Sequence, residues 1–193
     1  DPGDAANWGS ANRILMNRTV ETAIVENGCD AILDDGLAYD RCQVGIVTNV
    51  EPERHFGRHD VATAEQVFTI LRTQVDVVLP GGAAVLNASQ PMLVDMAPLC
   101  DGEVIFFAPD GDLPAVVEHR GRGGRAVFVS AGEVIFGSRE RDTVITSLRL
   151  IPLTDAGRSA PQVDHVLAAA AAAWALGIAP EIVRTALETA TAG

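Results

Sequence analysis

Three short polar clusters in the first third of the chain carry side chains that could bind a metal ion or a phosphate. Glu26 closes one short apolar run, Thr48 and Asn49 close the next, and His55 follows soon after. A carboxylate, a hydroxyl–amide pair and an imidazole suit a hydrated divalent cation that is also bound to nucleotide phosphate. A helix N-cap acid and a surface histidine would give the same pattern, and spacing alone leaves both interpretations open.

Two predicted strands would bring these side chains together. The runs 21–26 and 43–48 are mostly apolar without strict alternation, which is typical of strands buried on both faces of a parallel sheet. Ligands of such sheets bind beyond the carboxyl ends of the strands, where Glu26, Thr48 and Asn49 fall. The sequence therefore predicts a binding site at this edge of an α/β sheet.

Apolar periodicity extends the alternation of strands and helices along the chain. The predicted elements are a helix from the N-cap Thr63 to the glycines at 81 and 82, a strand over 83–87, a helix over 89–98 and a strand over 103–107. This alternating series is the signature of a doubly wound, mostly parallel sheet.

The pattern changes after residue 110. Short runs at 114–119, 125–130, 133–136 and 143–148 predict an antiparallel meander, with the glycine-rich stretch 120–125 as a hairpin turn. Two helices, over 161–176 and 180–190 and separated by the cap residue Gly177, close the chain. We predict an α/β fold in three parts: a parallel part over 1–110, a small antiparallel β annex over 111–152 and a helical end over 153–193.

Composition narrows the function classes. The chain has 193 residues and a net charge of −12, which argues against nucleic-acid binding. No apolar stretch is long enough for a membrane helix. Three cysteines without metal-type spacing predict reduced thiols in a cytoplasmic protein. All basic residues are arginines, so a phosphate-binding loop ending in Gly-Lys-Ser/Thr is absent from this sequence.

Several segments of the chain resemble segments that occur in the same order in a known protein family. They lie at 26–33, 36–42, 47–49, 55–57, 71–80, 84–88, 99–107, 166–169 and 172–178, and include Val47-Thr-Asn49 and His55-Phe-Gly57. Together they resemble the Mur-ligase half of the cyanophycin synthetases, which are Mur-type ATP-dependent amide ligases. The resemblance implies the central-domain fold of these ligases, with ATP and Mg²⁺ as cofactors.

The resemblance also implies an activity and a set of site residues. Such an enzyme activates a carboxylate as an acyl phosphate and joins arginine to an aspartate side chain in a polymer. The implied catalytic and metal-binding residues are Glu26 and His55. Thr48 and Asn49 would line the part of the site that binds the ATP phosphates, and Gln162 and His165 would contact adenine. An exposed helix start explains Gln162 and His165 equally well, and Asp164 is interpreted as an N-cap or first-turn acid.

Departures from the family pattern keep other functions open. Arg54 stands where the family has an acidic neighbour of His55. Other Mur ligases carry a carbamylated lysine after this histidine; Arg72 is the nearest basic residue here, and it cannot form a carbamate. The phosphate-binding loop and the C-terminal ligase domain of the family are expected outside this chain. The alternatives are a ligase for another amino acid, or a weakened or inactive domain with a nucleotide-binding or assembly role. A homo-oligomer is compatible with each of these.

Overall fold

The computed structural model describes residues 8–52, 57 and 59–191, which form a six-stranded mixed sheet flanked by helices. The strands are β1 (Cys42–Val47), β2 (Val78–Asn87), β3 (Glu103–Ala108), β4 (Arg125–Ser130), β5 (Glu133–Gly137) and β6 (Asp142–Ser147). The helices are α1 (Trp8–Leu15), α2 (Cys29–Asp35), α3 (Ala64–Asp76), α4 (Pro91–Val94), α5 (Pro114–Gly121), α6 (Ala160–Ala175) and α7 (Pro180–Thr189). The strands lie side by side in chain order; β1 to β4 are parallel, and β5 and β6 continue the sheet antiparallel.

Both faces of the sheet are covered by helices. Neighbouring residues of β2 point to opposite faces, so that Leu86 packs in a cluster with α2 to α5 while Val85 packs in a second cluster with α6 and α7. Burial on both faces explains why the central strands are almost continuously apolar. The predicted mostly parallel, doubly wound α/β fold with an antiparallel part and C-terminal helices is confirmed.

The start of α3 is predicted correctly and its end is not. Thr63 Oγ1 accepts a hydrogen bond from the Gln66 backbone N–H at 3.3 Å, and Gln66 Oε1 accepts one from the Thr63 N–H at 3.0 Å, which is a capping box. The helix ends at Asp76, and the glycines at 81 and 82 lie inside β2. The chain must leave the helix early because Val78 already pairs with Cys42 of β1.

The strand predicted over 114–119 is wrong, since this segment forms α5. The β-branched pair at 116 and 117 favours a strand locally, but β3 and β4 are parallel neighbours. Parallel neighbours require a crossover connection, which is usually a helix, and Pro114 at the first helical turn suits its start. The stretch 120–125 is therefore the end of α5 and the entry to β4 rather than a hairpin turn.

The strand predicted over 21–26 is also wrong. These residues form no strand, and Ile24 is 92% exposed. The run contains only three consecutive apolar residues, at 23–25, which supply little burial to hold a strand against a sheet edge. The segment instead runs irregularly to Gly28, where α2 begins.

The C-terminal helices follow the predicted boundaries within a residue or two. The alanine-rich α6 buries Val163, Leu167 and Ala171 against the sheet, and Gly177 follows it with a positive φ of 74°. Near its end, Trp174 stacks on Phe136 of β5 with ring centroids 4.5 Å apart. Within the described part of the chain, no helix is both long and apolar enough to cross a membrane.

His119 of α5 makes the stability of the fold depend on pH. Its Nε2 lies 3.0 Å from the Val104 carbonyl oxygen, and burial lowers the pKa of the ring despite hydrogen bonds to backbone groups of Val104 and Arg125. The folded state therefore binds a proton less readily than the unfolded state. The stabilisation is fully present above the ordinary histidine pKa of about 6.5 and is lost as the pH falls below it.

We expect the free energy of unfolding to fall more between pH 7 and pH 5.5 in the unchanged protein than in a His119→Gln variant. Urea unfolding followed by circular dichroism at both values measures this difference. Equal losses in the two proteins would show that His119 titrates alike in the folded and unfolded states.

Candidate active site

An open groove of about 610 Å³ lies beyond the carboxyl end of β1. Four parts of the described chain form it: the segment before α2, the end of β1 with the loop that follows it, one side of α3 and a turn of α6. The polar side chains that line it are Glu26, Asn27, Thr48, Asn49, Glu51, Gln74 and His165. The fold thus gathers Glu26, Thr48, Asn49 and His165, four of the residues singled out in the sequence, around one space.

The other two residues singled out in the sequence do not line this groove. His55 lies outside the described residues. Gln162 is exposed in the first turn of α6, three residues before His165, and is not among the lining residues. Residues three apart on a helix share a face, so Gln162 lies on the side of α6 that leads to the groove.

A chain of hydrogen bonds orders the loop after β1. Thr48 Oγ1 donates to Asn49 Oδ1 at 3.2 Å, and Asn49 Nδ2 donates to Glu51 Oε1 at 2.9 Å. Thr48 is half-buried, whereas Asn49 is exposed toward solvent. The hydroxyl, the amide and the carboxylate are therefore oriented by one another, and the loop presents oxygen atoms to the groove.

The segment that carries Glu26 is held by its neighbour Asn27. Asn27 Nδ2 donates to Tyr39 Oη at 2.8 Å and lies 3.4 Å from Gln74 Oε1 of α3. Cys29, at the start of α2, is buried in the core. Both contacts fix the backbone close to Glu26, whose exposed side chain lies at the rim of the groove.

Sequence reasoning missed Asn87 and Asp164, which lie behind the groove. Asn87 is 2% exposed at the end of β2, and its side-chain amide interacts with the carboxyl of Asp164 on α6. Burial raises the pKa of the Asp164 carboxyl, while the hydrogen bond from Asn87 and the charge of His165 oppose this rise. Asp164 is not an N-cap or first-turn acid as predicted, because Ser159 is the N-cap and α6 starts at Ala160.

One signal could have identified Asn87. It is the last residue of a buried strand that ends at the same sheet edge as β1, so the rule that selected Thr48 and Asn49 applies to it as well. Asp164 carries no comparable local signal, because its partner Asn87 belongs to a distant part of the sequence.

The groove offers suitable donors for a hydrated divalent cation. Glu26 and Glu51 are carboxylates, and Thr48 and Asn49 supply neutral oxygen atoms. Among the described residues, no three His, Cys, Asp or Glu side chains form a metal cluster. Magnesium does not require such a cluster, since it keeps several waters and binds through one or two carboxylates plus substrate phosphates. The donor set therefore fits Mg²⁺ together with an anionic ligand.

The cysteines are structural rather than reactive. Burial raises the pKa of the Cys29, Cys42 and Cys100 thiols, and all three are free. Arg41 precedes Cys42, yet it is not among the groups that shift the pKa of this thiol. A raised pKa keeps a thiol protonated and unreactive, which is typical of structural thiols and agrees with the predicted reduced cysteines.

The chain is similar to one segment of several cyanophycin synthetases. It is 35% identical to the cyanophycin synthetase of Synechocystis sp. over 191 residues, which cover 99% of this chain and 22% of that protein. The corresponding enzyme of Crocosphaera subtropica is 33% identical over 98% of this chain and 22% of its own length. That of Geminocystis herdmanii is 34% identical over 95% of this chain and 21% of its own length. The chain thus spans about a fifth of the length of these curated relatives.

Solved structures support the fold. The chain superposes on a crystal structure of MurF from Acinetobacter baumannii with a TM-score of 0.58 and 18% identity, over 89% of this chain and 34% of that one. A second structure from A. baumannii, of UDP-N-acetylmuramoylalanyl-D-glutamyl-2,6-diaminopimelate--D-alanyl-D-alanyl ligase, gives a TM-score of 0.57 over the same shares. At this identity the likeness shows a shared fold. No protein-family model matches the chain.

Proposed function

We propose, from the premise that this chain is a homologue of one segment of the cyanophycin synthetases, that it forms part of an ATP-dependent amide ligase. The proposed enzyme activates a carboxylate and joins it to an amine. Arginine is the proposed amine, and the carboxylate is an aspartate side chain in a polymer. In this proposal the chain is a partial central domain with parts 1–110, 111–152 and 153–193, and the protein is cytoplasmic.

The groove beyond β1 is the observation that supports this function most. Glu26, Thr48, Asn49 and His165 come from three parts of the chain and line one space. This space lies at the carboxyl edge of a parallel sheet, where α/β proteins bind their ligands. The gathering of these four side chains around one space supports a ligand-binding role for the groove.

Each of these residues has a proposed role. Glu26, with His55, would hold Mg²⁺, which when bound neutralises charge on phosphate oxygens during transfer. Thr48 and Asn49 would line the phosphate end of the groove. At the other end, Gln162 and His165 would meet adenine, with His165 able to stack on the base or hydrogen-bond to it.

The proposed reaction has two steps. A carboxylate oxygen of the polymer attacks the terminal phosphorus of ATP, and ADP leaves. The nitrogen of the amine then attacks the acyl carbon, phosphate leaves, and the nitrogen loses a proton. The groove residues contribute by positioning the phosphate chain and by excluding competing orientations, since phosphoryl transfer depends chiefly on positioning and electrostatics.

A second candidate function is a weakened or inactive domain that binds nucleotide poorly and serves assembly, for instance in a homo-oligomer. One observation favours it. The described residues that line the groove include no arginine, and the sequence contains no lysine. A groove without lysine or arginine attracts phosphate chiefly through a bound metal ion, so its own affinity for nucleotide would be low.

Phosphate release by the natural polypeptide that carries this sequence distinguishes the two candidates. We expect release with Mg-ATP, an aspartate polymer and arginine, and little release when arginine is omitted. Replacing arginine by lysine, ornithine or glutamate tests the choice of amine, and faster release with one of these would assign a different amino acid. No release with any amine would contradict the ligase and leave the assembly role.

A further inference from the structure

Two side chains, one on the last residue of β2 and one shortly after it, hold the loop that follows β1. Asn87 Nδ2 donates to the Thr48 carbonyl oxygen at 3.1 Å, and Gln90 Oε1 accepts from the Val50 backbone N–H at 2.7 Å. These bonds join residues about forty positions apart, so they are tertiary contacts rather than local turns. They fix the loop backbone at Thr48 and at Val50, on either side of Asn49.

The amide of Asn87 has partners for each of its polar atoms. Its Oδ1 accepts from the Ser89 backbone N–H at 2.9 Å, its Nδ2 donates to the Thr48 carbonyl oxygen, and the amide also interacts with the Asp164 carboxyl. Asn87 is 2% exposed, so the loss of any partner would leave a buried polar group unsatisfied. The orientation of this amide is therefore fixed by three elements at once: β2, the loop after β1 and α6.

Asp164 links this arrangement to the other end of the groove. It precedes His165 on α6 and is half-buried, whereas His165 is exposed on the groove. A displacement of α6 would therefore move Asp164, the Asn87 amide and the Thr48 carbonyl together. Asn87, Gln90 and Asp164 are called the loop latch below.

We infer that the loop latch positions Thr48 and Asn49 for the proposed reaction, an inference that rests on the proposed function. None of the three latch residues is among those that line the groove. Asn87 and Gln90 therefore act on the reaction through the loop, whereas Asp164 contacts Asn87 and also adjoins the groove residue His165. Because small displacements of positioning groups slow phosphoryl transfer more than they weaken binding, the latch should influence turnover more than substrate affinity.

Matched pairs of variants of the natural polypeptide test the latch. Gln90→Ala removes the oxygen that accepts from Val50, whereas Gln90→Glu keeps an oxygen there. In the second pair, Asp164→Ala removes the side-chain oxygens that interact with Asn87, whereas Asp164→Asn keeps one of them. Glu140→Ala, in the exposed turn between β5 and β6, is the control for an unrelated substitution.

Two measurements are made on every variant. Hydrogen exchange of a peptide spanning 44–52 should be about fivefold faster in each alanine variant and close to normal in Gln90→Glu and Asp164→Asn. The kcat should fall about tenfold in the alanine variants, with the KM for Mg-ATP changed by less than about twofold. The conservative variants should retain most of the rate.

Two results would overturn the inference. The first is unchanged exchange of the 44–52 peptide in both alanine variants. The second is equal loss of turnover in the alanine and conservative members of a pair, since this would assign the effect to something other than the accepting oxygen. Exchange does not depend on catalysis, so a protein that releases no phosphate would contradict the proposed function and still test the latch.

Discussion

Replacing Glu26 by glutamine in the natural polypeptide is expected to lower the rate of Mg-ATP-dependent phosphate release at least tenfold, or by about 1.4 kcal/mol in transition-state stabilisation. Glutamine has nearly the same volume but lacks the charge that binds a cation. Glu26 is exposed at the rim of the groove, so folding should be little affected. Initial rates measured over a range of Mg²⁺ concentrations should show that much of the loss is recovered as Mg²⁺ increases.

Glu140→Gln is the matched control for this prediction, because Glu140 is an exposed carboxylate in the turn between β5 and β6. It should leave both the rate and its dependence on Mg²⁺ unchanged. If Glu26→Gln behaved like Glu140→Gln, the assignment of Glu26 as a magnesium ligand would be wrong. A loss that did not respond to Mg²⁺ would assign Glu26 a role other than metal binding.

Gly45→Ala is expected to destabilise the fold by about 1–3 kcal/mol, the usual cost of overpacking a core. A Cβ at Gly45, in the middle of β1, would come within 2.4 Å of the Gln74 backbone carbonyl oxygen and 2.9 Å of Val78 Cγ2. The oxygen belongs to the backbone of α3, so no change of rotamer can relieve the contact. Since Thr48 and Asn49 directly follow β1, the groove should be disturbed as well.

Chemical unfolding in urea measures this change, and Gly121→Ala is its control. Gly121 is the last residue of α5, and a Cβ there would meet nothing within 4 Å. That variant should be neutral or slightly stabilising, because alanine is favoured over glycine in helices. Equal stability of the Gly45→Ala and Gly121→Ala variants would show that β1 and α3 are less tightly packed than described.

Features that depend on local rules could be predicted from the sequence. Thr63 caps α3 because its hydroxyl and the Gln66 amide satisfy neighbouring backbone groups, and both residues are visible in the sequence. The strand-end rule likewise led to Thr48 and Asn49, which do line the groove. These predictions succeed because they require knowledge of only a few adjacent residues.

Features that depend on distant neighbours could not be predicted. The 114–119 segment has the composition of a strand, and it becomes a helix because β3 and β4 lie side by side and parallel. The hydrogen bond between Asn87 and Thr48 joins residues 39 positions apart, and no sequence pattern predicts it. The apolar run at 23–25 forms no strand even though β1 is an edge strand of the described sheet, and the composition of the run does not reveal this.

The fate of the carboxylate oxygen tests the central claim most directly. An aspartate polymer whose side-chain carboxylates carry ¹⁸O would be incubated with Mg-ATP, arginine and the natural polypeptide, and the released phosphate analysed by mass spectrometry. If the carboxylate is activated as an acyl phosphate, one labelled oxygen should appear in each phosphate released. Phosphate without the label, or amide formation without phosphate release, would contradict an ATP-dependent amide ligase.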